Sequence, residues 1–123
     1  MERDTVSREV IGAAIAVHRK LGPGLLESAY EACLCYEMSM RRLRFLRQHP
    51  LPVVYGDVKL DCGYRVDLLV ESQVVVEIKS IRSVAPIHEA QLLTYLKLGG
   101  WKLGLLINFN VELLKDGIRR RVL

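Results

Sequence analysis

Cysteine is scarce in this chain, and the little there is serves neither cross-linking nor zinc. There are 3 cysteines, Cys33, Cys35 and Cys62. The odd count argues against a disulfide framework, and their spacings lack the paired pattern of a zinc site. Cys33 and Cys35 fall on an expected helix, where residues two apart do not face each other; buried free thiols in a reducing cytoplasm are expected. Long apolar runs are missing too, the longest being Val10 to Val17, far too short to cross a bilayer. Acidic and basic residues open the chain, so no secretory leader is expected and a cytoplasmic location is. No internal repeat or low-complexity segment is visible. With 123 residues the chain reads as a single domain, residues 1–123, with no room for a separate recognition domain. Nor is there a strong charge excess: the formal net charge of +4 and the pI near 9.1 are compatible with a polyanionic partner but are weak evidence for one.

What is present is a hydrophobic fraction of 50% and a charged fraction of 26%, ordinary for a globular protein, and one stretch with charges where a buried sheet has none. Tyr64 to Val70 and Val74 to Lys79 read as two strands rich in Val, Leu and Ile, folded back on each other around a polar interruption. Alternate side chains share a face, so Val66, Leu68 and Val70 line one face and Arg65, Asp67 and Leu69 the other. On the second strand Val75, Glu77 and Lys79 oppose Val74, Val76 and Ile78. A turn centred on Ser72 sets Val70 against Val74, Leu69 against Val75, Asp67 against Glu77 and Arg65 against Lys79. A two-residue turn instead sets Asp67 against Val76 and buries a carboxylate among valines. Two carboxylates directly across a pair repel, and a hard divalent cation such as Mg2+ resolves the conflict. Lys79 then points at whatever the cation holds, an arrangement suited to a phosphodiester. The plain alternative is a solvated face on an edge hairpin, with Lys79 neutralising one acid.

The rest of the chain reads in order. Val10, Ala14, Val17 and Leu21 recur at helical spacing, predicting a helix from about Asp4 to Leu21 that Gly22-Pro23-Gly24 stops; His18 on it carries no assigned role. A second helix is predicted from Leu25 or Leu26 to about Arg42, with Leu26, Ala29, Cys33, Tyr36 and Met40 as its apolar stripe. Glu27 sits in its first turn, where a carboxylate suits the helix dipole, and Glu27, Tyr30 and Glu31 share a side. The basic run Arg41, Arg42, Arg44 and Arg47 fits either a helix C-terminus or phosphate contacts. His49-Pro50-Leu51-Pro52 breaks the chain, Val53 to Tyr55 is a short strand, and Gly56-Asp57 a turn. After the hairpin, Pro86 opens a helix that ends at Gly99-Gly100, with Leu92, Leu93 and Leu96 inward and His88, Gln91 and Tyr95 as a polar stripe. Trp101 to Asn108 is an apolar strand, and Gly117 to Leu123 a basic final one. The order helix, helix, three strands, helix, strand, strand gives an α/β sandwich, a mixed β-sheet flanked by helices.

At this level the sequence resembles a known family. Gly24-Leu25-Leu26-Glu27-Ser28-Ala29-Tyr30 matches the GxxExxY signature of small proteins within the PD-(D/E)xK nuclease superfamily, whose fold is restriction-endonuclease-like. The match continues through Tyr64 to Val70, Val76 to Lys79, Ala90 to Leu96 and Leu105 to Phe109, in the right order over nearly the whole chain. The resemblance implies that Asp67 and Glu77 bind a metal, with Glu27 as a further acidic ligand and the Ile78 carbonyl as another donor. It implies that Lys79 orients or deprotonates the attacking water, that Glu77, Asp67 and Gln91 take part in catalysis, and that Gln91 and Tyr95 flank the site. Tyr30 and Arg65, inside the matching blocks, are expected to contact substrate with them. The position before Asp67 is Val66 where the superfamily often has proline.

The function expected is that of an Mg2+- or Mn2+-dependent nuclease hydrolysing phosphodiester bonds, with DNA preferred over RNA as substrate. The competing expectation is a nuclease-fold protein that binds nucleic acid or joins a complex with little or no turnover. A homodimer is also expected, since Val/Leu-rich strands and the Leu113-Leu114 pair suggest a face covered by a twin. No membrane contact is expected.

Overall fold

The computed structural model describes residues 1–123. Helix α1 spans Arg3–Leu21, and its Val6, Val10, Ala13, Ala14 and Val17 form one buried face at helical spacing. It ends at Gly22, whose φ of 69° is left-handed and whose N–H reaches back to the His18 carbonyl. His18 itself is buried, its Nε2 within 2.7 Å of the Val111 carbonyl oxygen.

Helix α2 spans Glu27–Met40, but the face it buries is not the one its apolar residues suggest. Tyr30, Glu31, Leu34, Cys35 and Met38 point inward, while Leu26 (76% exposed), Tyr36 (64%) and Met40 (67%) face solvent. The helix carries a second apolar stripe, Tyr30, Leu34 and Met38 at i+4 spacing, and it is this one, with Glu31 beside it, that turns inward. The basic run after α2 is not helix either. Arg42 is left-handed (φ 62°), Leu43 is buried, and β1, Phe45–Pro50, follows as a strand. An edge strand tolerates Arg47, Gln48, His49 and a terminal proline that argue against a central one.

Strands β2 (Val53–Tyr55) and β3 (Val58–Leu60) form a separate two-stranded ribbon turning at Gly56-Asp57. Strands β4 (Arg65–Val70) and β5 (Val74–Lys79) are the expected hairpin, with Val70 opposite Val74 and Leu69 opposite Val75. Its turn residues Glu71 and Ser72 both have positive φ. Helix α3, Pro86–Gly99, opens on its proline, and the Ala85 N–H donates to His88 Nδ1. It closes on Gly100 in the left-handed region, and a Cβ at Gly99 would collide with the Trp101 ring. The α3 crossover returns the chain as β6, Leu103–Asn108, parallel to β5. A 3-10 turn, Leu114–Gly117, leads to β7, Ile118–Val122, antiparallel to β6.

The five-stranded sheet has the order β1-β4-β5-β6-β7, mixed in direction and covered on both faces. Against one face α1 and α2 bury Leu68, Val70, Val74, Val76, Ile78, Leu103, Leu105 and Ile107; against the other α3 buries Leu69, Val75 and Leu106 with Leu92 and Leu96. This is a restriction-endonuclease-like layering, as expected. Three further details differ from expectation. Val66 packs with the α3 cluster while Leu68 and Val70 pack against α1 and α2, so the strict alternation slips at Asp67. Cys62 is exposed, not buried. Leu114 is buried in the core, and only Leu113 remains open to solvent.

Candidate active site

The β4–β5 ladder runs from Val70–Val74 to Leu68–Val76 and then stops. Beyond it the side chains take over the backbone's role. Asp67 N–H donates to Glu77 Oε2 (2.9 Å), and Ile78 N–H donates to Asp67 Oδ2 (2.8 Å). Each carboxylate thus satisfies an amide on the other strand, which locks both side chains where the strands diverge. Arg65, expected opposite Lys79, is outside that ladder; it pairs with Pro50 of β1, and its Nη1 donates to the Gln48 carbonyl at 3.2 Å. Lys79 follows Glu77 on β5, half-buried, and its ammonium forms no ion pair.

From α2, Glu27 reaches the end of β5: its Oε2 accepts the Ser80 N–H at 3.3 Å, and Ser80 Oγ donates to the Leu25 carbonyl. A cleft of about 270 Å³ opens there, lined by Glu27, Ser28, Glu31, Gln48, Asp67 and Ile78. Tyr30 does not face it. Its ring is fully buried and stacked on Phe109 at 4.5 Å, and its hydroxyl donates to the Gly22 carbonyl and accepts the Leu25 N–H. The expected substrate contact at Tyr30 is therefore corrected: it is a bolt between α1, α2 and β6's exit, with no surface to offer a ligand.

Helix α3 lies on the other face of the sheet. Tyr95 packs its ring beside the α3 cluster, 6.3 Å from the Tyr64 ring. Gln91, one turn earlier, is exposed and its side chain makes no hydrogen bond within the protein. Behind Lys79, Asn108 clasps the exit loop: its Oδ1 accepts the Ile81 N–H and its Nδ2 donates to the Ile81 carbonyl, each at 3.0 Å. Gln48 and Glu31 are the site residues that the sequence did not reveal. Glu31 could have been suspected from its i+4 spacing to Glu27; nothing in the sequence marks Gln48.

Electrostatically the pair is under load. Burial pushes the Glu77 carboxyl from 4.5 up to about 9, and the neighbouring Asp67 charge adds to the push, while Asp67's N–H and Lys79 pull the other way. Burial, and then the charges of Glu77, Tyr64 and Asp67, push the Tyr95 hydroxyl's pKa up. The Glu77 carboxyl interlocked with Asp67, and Asp67 sharing the cleft with Glu27, make a donor set of hard oxygens that fits a divalent cation in chemistry. The fit is not yet a shell: no three His, Cys, Asp or Glu side chains are gathered in ligating geometry. No helix is long and apolar enough to cross a membrane.

The family model of the PD-(D/E)XK nuclease superfamily matches residues 4–121. Comparison with curated proteins and with solved structures finds no match.

Proposed function

Because the chain belongs to the PD-(D/E)XK nuclease superfamily, whose members generally hydrolyse phosphodiester bonds, we propose that it is a nuclease of the GxxExxY branch, acting on DNA with Mg2+ or Mn2+. The observation that carries this reading is the interlock of Asp67 and Glu77 beyond the last rung of the β4–β5 ladder, with the unpaired Lys79 beside it. Glu27, Asp67, Glu77 and the Ile78 carbonyl are the groups to hold the cation, which when bound supplies a Lewis acid for the phosphate and lowers the pKa of a water. Lys79 places a positive charge beside the charge that develops on the phosphate oxygens. Glu77 gives up its proton on loading. Tyr95 offers a hydroxyl donor from α3, and Gln91 and Arg65, exposed at either side, contact the substrate backbone.

A second reading, nucleic-acid binding or complex formation with little or no turnover, draws support from the absence of a gathered ligand shell. One experiment separates the two. Labelled single- and double-stranded DNA and RNA are incubated in Mg2+, Mn2+ or EDTA with the parent and with Lys79→Ala. Cutting by the parent in metal alone, reduced at least about 100-fold in the variant, supports the nuclease. Equal traces in both point to a contaminant and leave the binding reading.

A further inference from the structure

Gln48 is a non-glycine residue in the left-handed region, φ 49°, in the middle of strand β1. The register on β4 is unchanged across it: Arg47 pairs with Leu68 and His49 with Val66, and the Gln48–Asp67 rung between them is missing. A side chain with a Cβ held at positive φ inside a strand is strained, and such strain persists only where the surroundings enforce it.

The surroundings are polar. The Gln48 Nε2 amino group donates to Glu31 Oε1 at 2.7 Å and to Asp67 Oδ1 at 3.3 Å. Glu31, 9% exposed, is fixed from its other oxygen by Arg47, whose Nη2 and Nε approach Oε2 at 3.1 and 3.4 Å. Arg65 holds the Gln48 carbonyl. The left-handed backbone is what turns the amide toward the cleft, between two carboxylates on two different elements.

With one Asp67 oxygen taken by the Ile78 N–H, the Gln48 amide is the only other group that fixes the carboxylate's rotation. We infer that Gln48 is a positioning residue, set by Glu31 and Arg47, that holds Asp67 in its cation-binding orientation. This rests on the nuclease reading above. Groups that orient a ligating carboxylate are worth about 10–100-fold in metal affinity.

Gln48→Gly tests it, because glycine is at ease at positive φ and removes the strain with the amide. Titration calorimetry with Mn2+ on the parent and the variant is paired with thermal unfolding of both without metal. The expected result is Mn2+ affinity about 10–100-fold weaker with an unfolding midpoint equal to or above the parent's. Gln48→Asn, also tolerant of the left-handed region but a methylene too short to span both acids, is expected to weaken binding likewise. Unchanged affinity in both variants overturns the inference. Affinity and midpoint falling together in the glycine variant also overturn it, by reducing Gln48 to a structural part. A parent that takes up no Mn2+ removes the nuclease reading and this inference with it, a failure visible in the parent alone.

Discussion

At the residue scale Glu77 is the group whose state governs the site. Its folded pKa, about 9, lies above the ordinary 4.5. The native state therefore keeps a proton that the unfolded chain releases, and this contribution to stability is complete below about 4.5 and is lost as pH rises toward 9. The metal-free protein is expected to lose thermal stability steadily across that window, and Glu77→Gln, which cannot ionise, to show a flatter profile; unfolding midpoints at several pH values check this. If Glu77 ligates a cation as proposed, loading it would expel the same proton, so affinity would rise with pH and binding would release about one proton. Calorimetry in buffers of different ionisation enthalpy counts it. Equal binding enthalpies in all buffers would mean that Glu77 is already ionised.

At the scale of elements, Tyr30 shows what the GxxExxY stretch contributes to folding. Its hydroxyl ties the α1–α2 connection through Gly22 and Leu25, and its ring stacks on Phe109 beyond β6. Tyr30→Phe keeps the stack and loses the bonds to a partly buried Gly22 carbonyl and an exposed Leu25 amide, which water can partly replace; a loss of about 0.5–1.5 kcal/mol in urea unfolding is expected. If cleavage per folded molecule stays near the parent's, Tyr30 is not a substrate group. The β4–β5 hairpin was legible in the sequence because its alternation and its odd-numbered turn leave one register that keeps carboxylates away from valines. Helix α3 was legible from Pro86 and the closing glycines. The α2 face was not, because the helix carries two apolar stripes, one through Ala29, Cys33, Tyr36 and Met40 and one through Tyr30, Leu34 and Met38, and periodicity does not choose between them. Strand β1 was hidden because its polar residues look like a loop until Glu31 and Asp67 are placed against them. Of the candidate site, the Asp67–Glu77 juxtaposition could be read from spacing and Glu27 was named from family likeness, whereas a left-handed Gln48 inside a strand follows from no local propensity.

At the scale of the whole molecule, ion pairs engage five of the 18 lysines and arginines, four of them away from the cleft. On β7, Arg120 pairs with Asp4 at 2.8 Å, and Arg119 and Arg121 both pair with Glu89 on α3. Arg41 pairs with Glu9. The cleft itself is lined by Glu27, Glu31 and Asp67, which repel a phosphate until a cation intervenes. Nucleic-acid binding is therefore expected to depend on a divalent ion: fluorescence anisotropy in Ca2+ should give an affinity at least about 10-fold tighter than in EDTA, by the usual scale of single charge contacts. Equal affinities would move the binding surface to another face. The sheet's outer strands β1 and β7 each have one unpaired edge, and a light-scattering mass of one chain would exclude the homodimer.

The β2–β3 ribbon has a consequence of its own. Between Leu51 and Tyr64 the chain leaves the sheet and comes back, and the Leu51 N–H closes the excursion on the Tyr64 carbonyl at 2.8 Å. Every residue from Val54 to Arg65 is exposed. The clasp fixes the base while the tip at Gly56-Asp57 is unburdened by packing, and lengthening a closed loop adds little entropy. The ribbon is thus a socket: foreign sequence spliced at its tip would leave both helical layers intact and would hang from the strand that carries Asp67.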